Sequence, residues 1–164
     1  MSINTTSLIF VVDDNKVYNQ LVSDYLKKKG YGNVMSFYSG EACLKELKNK
    51  NFPDIIVQDY NMDILNGIDV LKEVKKINPK TEFIFLSGNE STELIVNSIK
   101  YGAFDYVIKG RLALEKVIDK IQKIGNMIEL KKKNKQIKQF MTITVVLLVG
   151  IVLASIFYFM FIKD

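Results

Sequence analysis

Leu8-Ile9-Phe10-Val11-Val12-Asp13-Asp14 is a run of five apolar residues that ends in two carboxylates. A continuous apolar run of this kind is the pattern of a strand buried on both faces of a parallel sheet. The figure recurs along the chain. Ile55-Ile56-Val57-Gln58 leads into Asp59, Phe83-Ile84-Phe85-Leu86 into Ser87, and Tyr106-Val107-Ile108 into Lys109. Helical patterns separate the runs. Strands that alternate with helices are parallel, and their C-terminal ends share one edge of the sheet, where open α/β folds bind ligands. Asp13, Asp14, Asp59, Ser87 and Lys109 are therefore expected to converge. Three crowded carboxylates repel and call for a hard cation, here expected to be Mg²⁺. A hydroxyl and an ammonium beside it suit a phosphoryl group carried on a carboxylate.

The segments between fill in five βα units. Asn15 to Lys29 reads as a helix with Val17, Leu21, Val22, Tyr25 and Leu26 on one face, stopped by Gly30. Asp14 is a candidate cap for it. Val34 to Phe37 makes a short second strand. Ser39 is a candidate N-cap for a helix through Leu47 that faces Ala42, Cys43, Leu44 and Leu47 inward. Asp54 to Asp59 is the third strand, and a loop from Tyr60 to Asn66 leads to a helix opened at Gly67. Val70, Leu71, Val74 and Ile77 form its apolar face, and Asn78-Pro79 ends it. Glu82 to Ser87 is the fourth strand, Glu90 to Tyr101 a helix closed by Gly102, and Phe104 to Lys109 the fifth strand. The last helical pattern offers a packing stripe of Leu114, Val117, Ile118, Ile121 and Ile124 or Ile128.

The net charge is +5, and much of the excess lies in Lys131-Lys132-Lys133-Asn134-Lys135 and Lys138. No aromatic residue interleaves with these lysines, which argues against nucleic acid. They abut Phe140 to Ile162, a stretch without a charged residue. As a helix it is about 35 Å long, enough to cross a bilayer's hydrocarbon core. The lysines are therefore expected to contact anionic lipid, and the span to be a single-pass tail anchor with the lysine side cytoplasmic. Gly150 and Ala154 make a small-xxx-small pair whose spacing permits a homodimer. Met1 to Ser7 has no positive n-region, so no signal peptide is expected. Cys43 is the single cysteine, read as a small core residue, and an intramolecular disulfide is excluded. The chain has no histidine, so any phosphohistidine it meets belongs to another protein.

Four motifs in order carry a family resemblance. They are Asp13-Asp14 after the first strand, Asp59-Tyr60-Asn61-Met62-Asp63-Ile64-Leu65-Asn66-Gly67, Ser87-Gly88, and Tyr101-Gly102-Ala103-Phe104-Asp105-Tyr106-Val107-Ile108-Lys109. Residues from about 7 to 126 resemble the receiver domain of bacterial response regulators. The resemblance implies a flavodoxin-like (βα)5 doubly wound parallel sheet with strand order 2-1-3-4-5, here followed by the C-terminal transmembrane helix. It implies that Asp59 is the phosphoacceptor. Asp13, Asp14 and Asp59 would bind Mg²⁺ together with the backbone carbonyl of Asn61. Ser87 and Lys109 would bond phosphoryl oxygens. Tyr106 would change rotamer with Ser87, altering the surface of the fourth helix, fifth strand and fifth helix. Two positions depart from the family: Asp63 and Gly110 stand where it has proline. A trans Lys109–Gly110 bond is expected, because cis before glycine costs about 2.5–4 kcal/mol, and Lys109 is then less firmly placed.

The expected organisation is a receiver over 1–126, a basic juxtamembrane segment over 127–139 and a transmembrane helix over 140–162. The expected function is a receiver anchored in the cell (inner) membrane, with Mg²⁺-dependent self-catalysed phosphorylation and dephosphorylation. A histidine kinase or histidine phosphotransfer protein would be the donor. With no separate output domain, a downstream protein would read the surface change. One rival is a receiver-like scaffold that signals without phosphorylation, supported by Asp63 and Gly110. Another is a haloacid-dehalogenase-like phosphatase, against which Asn61 argues, since those enzymes carry a second Asp two residues after the nucleophile.

Overall fold

The computed structural model describes residues 7–161. Residues 1–6 and the last three, among them Ile162 of the expected span, lie outside the described residues. Five strands, β1 (Ile9–Val12), β2 (Val34–Phe37), β3 (Ile55–Gln58), β4 (Glu82–Ser87) and β5 (Asp105–Ile108), form one sheet in the order β2-β1-β3-β4-β5. Every pairing is parallel, with Ile9 opposite both Val34 and Ile55, Ile55 opposite Glu82, and Ile84 opposite Asp105. The helices are α1 (Lys16–Lys28), α2 (Gly40–Lys48), α3 (Gly67–Ile77), α4 (Thr92–Lys100) and α5 (Ala113–Phe161). The expected flavodoxin-like order is thus the observed one.

β1 and β3 are buried along their whole length, as both-face coverage by helices requires. Phe10, Val12, Ile56, Phe83 and Phe85 pack with Cys43 and Leu47 of α2 and with Val70, Leu71 and Val74 of α3. Each such side chain contributes about 1.5–3 kcal/mol by leaving water. α1, α2 and α3 start on side-chain caps: Asn15, Ser39 and Asn66 accept from the backbone N–H of Tyr18, Ala42 and Asp69. Such caps are worth about 1 kcal/mol each. Asn15, rather than Asp14, caps α1. Gly30 and Gly102 follow α1 and α4 with φ of 94° and 100°, the left-handed region that glycine enters without strain.

The apolar faces differ from the periodic expectation in instructive places. In α1 the buried residues are Asn19, Val22, Ser23 and Leu26, whereas Val17 is 81% exposed and Leu21 50%. Hydrogen bonding explains the rotation. Asn19 Nδ2 lies 3.3, 3.2 and 2.8 Å from the carbonyl oxygens of Val11, Asp13 and Phe37, at the ends of β1 and β2. Ser23 Oγ lies 2.7 Å from Ser36 Oγ on β2. A buried carbonyl without a partner is costly, so the polar bonds set the helix face. In α2 the buried residues are Gly40, Cys43 and Leu47, and Ala42 turns outward. In α3 Ile68 is buried and Ile77 is exposed. In α5 the buried stripe is Ala113, Val117, Ile121 and Ile124.

The chain divides into two compact units, Met1–Gly125 and Asn126–Asp164. In the second, residues 131–161 are helical and exposed throughout. α5 contains a stretch of mean hydropathy 2.7 with none of it buried, long and apolar enough to cross a membrane.

Gly67 fixes the approach of α3 to the sheet. A Cβ there would lie 2.5 Å from Phe85 Cε1 and 2.8 Å from the Asp59 carbonyl oxygen. The second contact is backbone and cannot swing aside. Gly67→Ala is therefore expected to lower stability by about 1–3 kcal/mol in urea denaturation. Gly88→Ala, where a Cβ would meet nothing within 4 Å, should stay within about 0.5 kcal/mol of wild type.

Candidate functional site

The C-terminal ends of β1, β3, β4 and β5 deliver Asp13, Asp59, Ser87 and Lys109 to one edge of the sheet. Backbone bonds set their positions: Asp59 N–H donates to the Val12 carbonyl at 2.8 Å, and Lys109 N–H to the Ser87 carbonyl at 2.8 Å. Asp13, Asp14 and Asp59 come together, with one carboxylate oxygen of each within 4.8 Å of the others. Asp13 and Asp59 are buried, 3% and 9% exposed, and Asp14 is less enclosed. Asn61 lies exposed in the β3–α3 loop, two residues past Asp59, and Asp63 is exposed in the same loop.

The Lys109 ammonium joins the two buried acids. Its Nζ donates to Asp13 Oδ2 at 2.8 Å and to Asp59 Oδ2 at 2.9 Å. It also sits 4.4 Å from the centre of the Tyr18 ring. The described residues hold no cis peptide bond, so Lys109–Gly110 is trans as expected, and Lys109 still reaches both acids. Asp13 Oδ1 accepts from the Asn15 N–H. Asp59 Oδ1 is buried and has no hydrogen-bond partner. Burial pushes the Asp13 carboxyl above its ordinary value; the bond from Lys109 opposes this and the Asp59 charge adds to it. For Lys109, burial pulls the ammonium down, but its bonds to Asp13 and Asp59 outweigh that and hold it above the usual range.

Ser87 is fully buried, and its Oγ accepts from the Asn89 N–H at 3.3 Å. The Tyr106 hydroxyl donates to the Asn89 carbonyl at 2.8 Å. The Tyr106 ring packs 6.2 Å from Phe85 and 6.3 Å from Tyr60, centre to centre. Ser87 and Tyr106 thus end on the same residue of the β4–α4 loop. Sequence reasoning missed Asn89 and Tyr18. An aromatic residue in the first turn of the helix that follows the acidic pair was the available signal for Tyr18.

A parallel sheet of this order with two acids, a hydroxyl and a lysine at its strand ends is decided by comparison with known families. The model of the response regulator receiver domain matches residues 9–122. The chain belongs to that family. It is 31% identical to the chemotaxis protein CheY of Thermotoga maritima over 101 residues, which are 62% of this chain and 83% of the relative. It is 37% identical over 101 residues to the transcriptional regulatory protein ZraR of Salmonella typhimurium, of which it spans 22%. The solved receiver domain of the Francisella response regulator 1452 superposes with a TM-score of 0.68 at 29% identity, covering 75% of this chain and 99% of that one.

Receiver domains generally bind Mg²⁺ at an acidic pocket, and the residues present here fit such an ion. Three carboxylates face one ammonium, and the unpartnered Asp59 Oδ1 is a buried acceptor of the kind a hard cation satisfies. A ligand that binds the folded state alone at a hundred times its Kd stabilises by about 2.7 kcal/mol. Mg²⁺ is therefore expected to raise the receiver's thermal midpoint. Asp14→Ala should flatten that titration, and an undiminished response in the variant would count against a site of three carboxylates.

Proposed function

We propose that this chain is a phosphorylation-controlled receiver held at a membrane, with Asp59 as phosphoacceptor. The observation that carries the reading is the asymmetry of the Asp59 carboxylate: Oδ2 is held by Lys109, while Oδ1 is buried without a partner. A carboxylate oriented through one oxygen, with the other able to take a cation, is positioned for attack on phosphorus. An Asp59 carboxylate oxygen forms the bond to phosphorus as the donor's P–N or P–O bond breaks, and the donor leaves with the electron pair. The bound Mg²⁺ would supply positive charge that offsets the crowded oxygens, held by Asp13, Asp14 and Asp59 with the Asn61 backbone carbonyl. Lys109 and the Ser87 hydroxyl stabilise charge on the transferring group. Attack of water on the aspartyl phosphate resets the site.

The donor is a histidine kinase or histidine phosphotransfer protein, as for receivers of two-component systems generally. Movement of Ser87 toward a phosphoryl oxygen disturbs the Asn89 segment that Tyr106 also holds. That coupling carries the change toward α4, β5 and the first turns of α5, where a downstream protein reads it.

Membrane attachment is assigned to 140–162, with 127–139 as the basic segment on anionic lipid and 1–126 as the receiver. Residues 140–161 expose large apolar side chains around the whole helix, more apolar surface than a water-facing segment tolerates. Lys131, Lys132, Lys133, Lys135 and Lys138 precede the span and favour a cytoplasmic receiver.

The chain should take up the phosphoryl group of acetyl phosphate in the presence of Mg²⁺ and not after chelation. Asp59→Asn should abolish uptake, because an amide is no nucleophile; equal labelling of wild type and variant would remove Asp59 from the reading, and an unlabelled wild type would favour the scaffold. Truncation before Phe140 should release the chain from the membrane fraction. A receiver digested by protease added to intact cells would reverse the orientation.

A further inference from the structure

We propose that Tyr18 is the positioning residue for Lys109: its ring face holds the ammonium at the acidic pair when the carboxylate partners change. The inference rests on Asp59 being the phosphoacceptor. Lys109 Nζ has three partners, Asp13 Oδ2 at 2.8 Å, Asp59 Oδ2 at 2.9 Å and the Tyr18 ring with its centre at 4.4 Å. A cation within about 6 Å of a ring centre is attracted by the ring's negative face. The two carboxylates do not keep their character through a phosphoryl cycle. Asp59 loses its carboxylate charge when it becomes an acyl phosphate, and Asp13 is drawn on by any cation in the pocket. The ring face alone among the three is unchanged.

The backbone fixes Lys109 at its Cα, through the bond from its N–H to the Ser87 carbonyl, and leaves its ammonium to be placed by side chains. Gly110 follows, and a Cβ there would meet nothing within 4 Å. Tyr18, in contrast, stands on a braced turn. Its N–H donates to the Asn15 cap at 3.1 Å, and the Asn15 N–H donates to Asp13 Oδ1 at 2.9 Å. The next residue, Asn19, is fully buried on carbonyls of Val11, Asp13 and Phe37. Asp13, Asn15, Tyr18 and Asn19 therefore form one connected unit, which sets the Tyr18 backbone relative to the acid that Lys109 bonds. The same bolt turns Val17 outward. Had α1 buried Val17 and Leu21, the neighbouring Tyr18 would have rotated about the helix axis away from the site.

Tyr18→Leu keeps apolar bulk and removes the ring face; Tyr18→Phe keeps the ring and removes the hydroxyl. In full-length protein in detergent micelles with ¹³C-labelled lysine, the Lys109 ε-methylene protons, assigned by their absence in Lys109→Arg, should be shifted upfield by the ring current. Tyr18→Phe should retain that shift and Tyr18→Leu should lose it. Uptake from acetyl phosphate should slow about tenfold in Tyr18→Leu and recover in Tyr18→Phe. Thermal unfolding of both variants establishes that each is folded. An unshifted Lys109 resonance in wild type, or a Tyr18→Phe as slow as Tyr18→Leu, overturns the proposal. A wild type that shows the ring shift but takes up no phosphoryl group overturns the phosphoacceptor reading instead, and with it the positioning role.

Discussion

Two carboxylates buried within hydrogen-bond reach of one ammonium constrain the rest of the receiver. Asp13 and Asp59 lie on neighbouring strands and repel at close range. Lys109, two strands further across the sheet, reaches both. Removing one partner from a buried ionic group of this type costs about 3–5 kcal/mol, because the remaining charge is left without compensation. The strand register must therefore be right at three places together. Val12 stands opposite Gln58, so Asp13 and Asp59 follow their strands at one level; Ser87 ends β4 two residues beyond Phe85, the partner of Gln58, and stands opposite Ile108, so Lys109 projects one residue further still. A slip of one residue anywhere would turn a carboxylate or the ammonium to the other face.

The register is kept by polar bonds as much as by apolar packing. The Asn19 amide closes the carbonyl ends of β1 and β2, and Thr81 Oγ1 donates to the Pro53 carbonyl at 2.7 Å beneath β3. These side chains are fully buried. Each satisfies backbone that leaves the sheet ladder where the strands end, where no further strand residue supplies a partner. Apolar contacts hold the layers together without fixing direction. The asparagine decides how α1 is rotated on the sheet, and so which of its residues look at the acidic edge.

The parts of this structure that were legible in the sequence are those decided by local pattern. The buried strands announce themselves as apolar runs, and Asp13, Asp14, Asp59, Ser87 and Lys109 are legible because each ends such a run. The parallel order follows from the alternation with helices and from the resemblance. Val17 and Leu21 misled because helical periodicity counts apolar residues and cannot see that Asn19 has three carbonyls waiting for it. Tyr18 and Asn89 were missed for a related reason. Their contacts join residues 91 and 17 positions away, Lys109 and Tyr106, and exist only after α1 and the β4–α4 loop have docked. Ala42, Ile68 and Ile77 show the weaker form of the same effect, in which the crossing of a short helix moves its buried stripe by one residue.

The electrostatics of the site oppose its own stability. Lys109 is held above its ordinary range in the folded state, so its pairing stabilises the fold at neutral pH and is lost only as pH rises through the raised value. Asp13 is also raised, mainly by burial, so ionising it costs stability above its folded value, and that cost disappears as the carboxyl is protonated at lower pH. At neutral pH the ammonium thus offsets part of a penalty that the acids impose. Positive charge added to the pocket relieves the remainder. A phosphoryl group on Asp59, as proposed, would replace the carboxylate charge with anionic phosphoryl oxygens and offer the ammonium a new partner. A neutral core at these positions would pack with less penalty and would have nothing to exchange. The charge balance at the strand ends is therefore what a bound cation, or on the proposed reading a phosphoryl group on Asp59, would change.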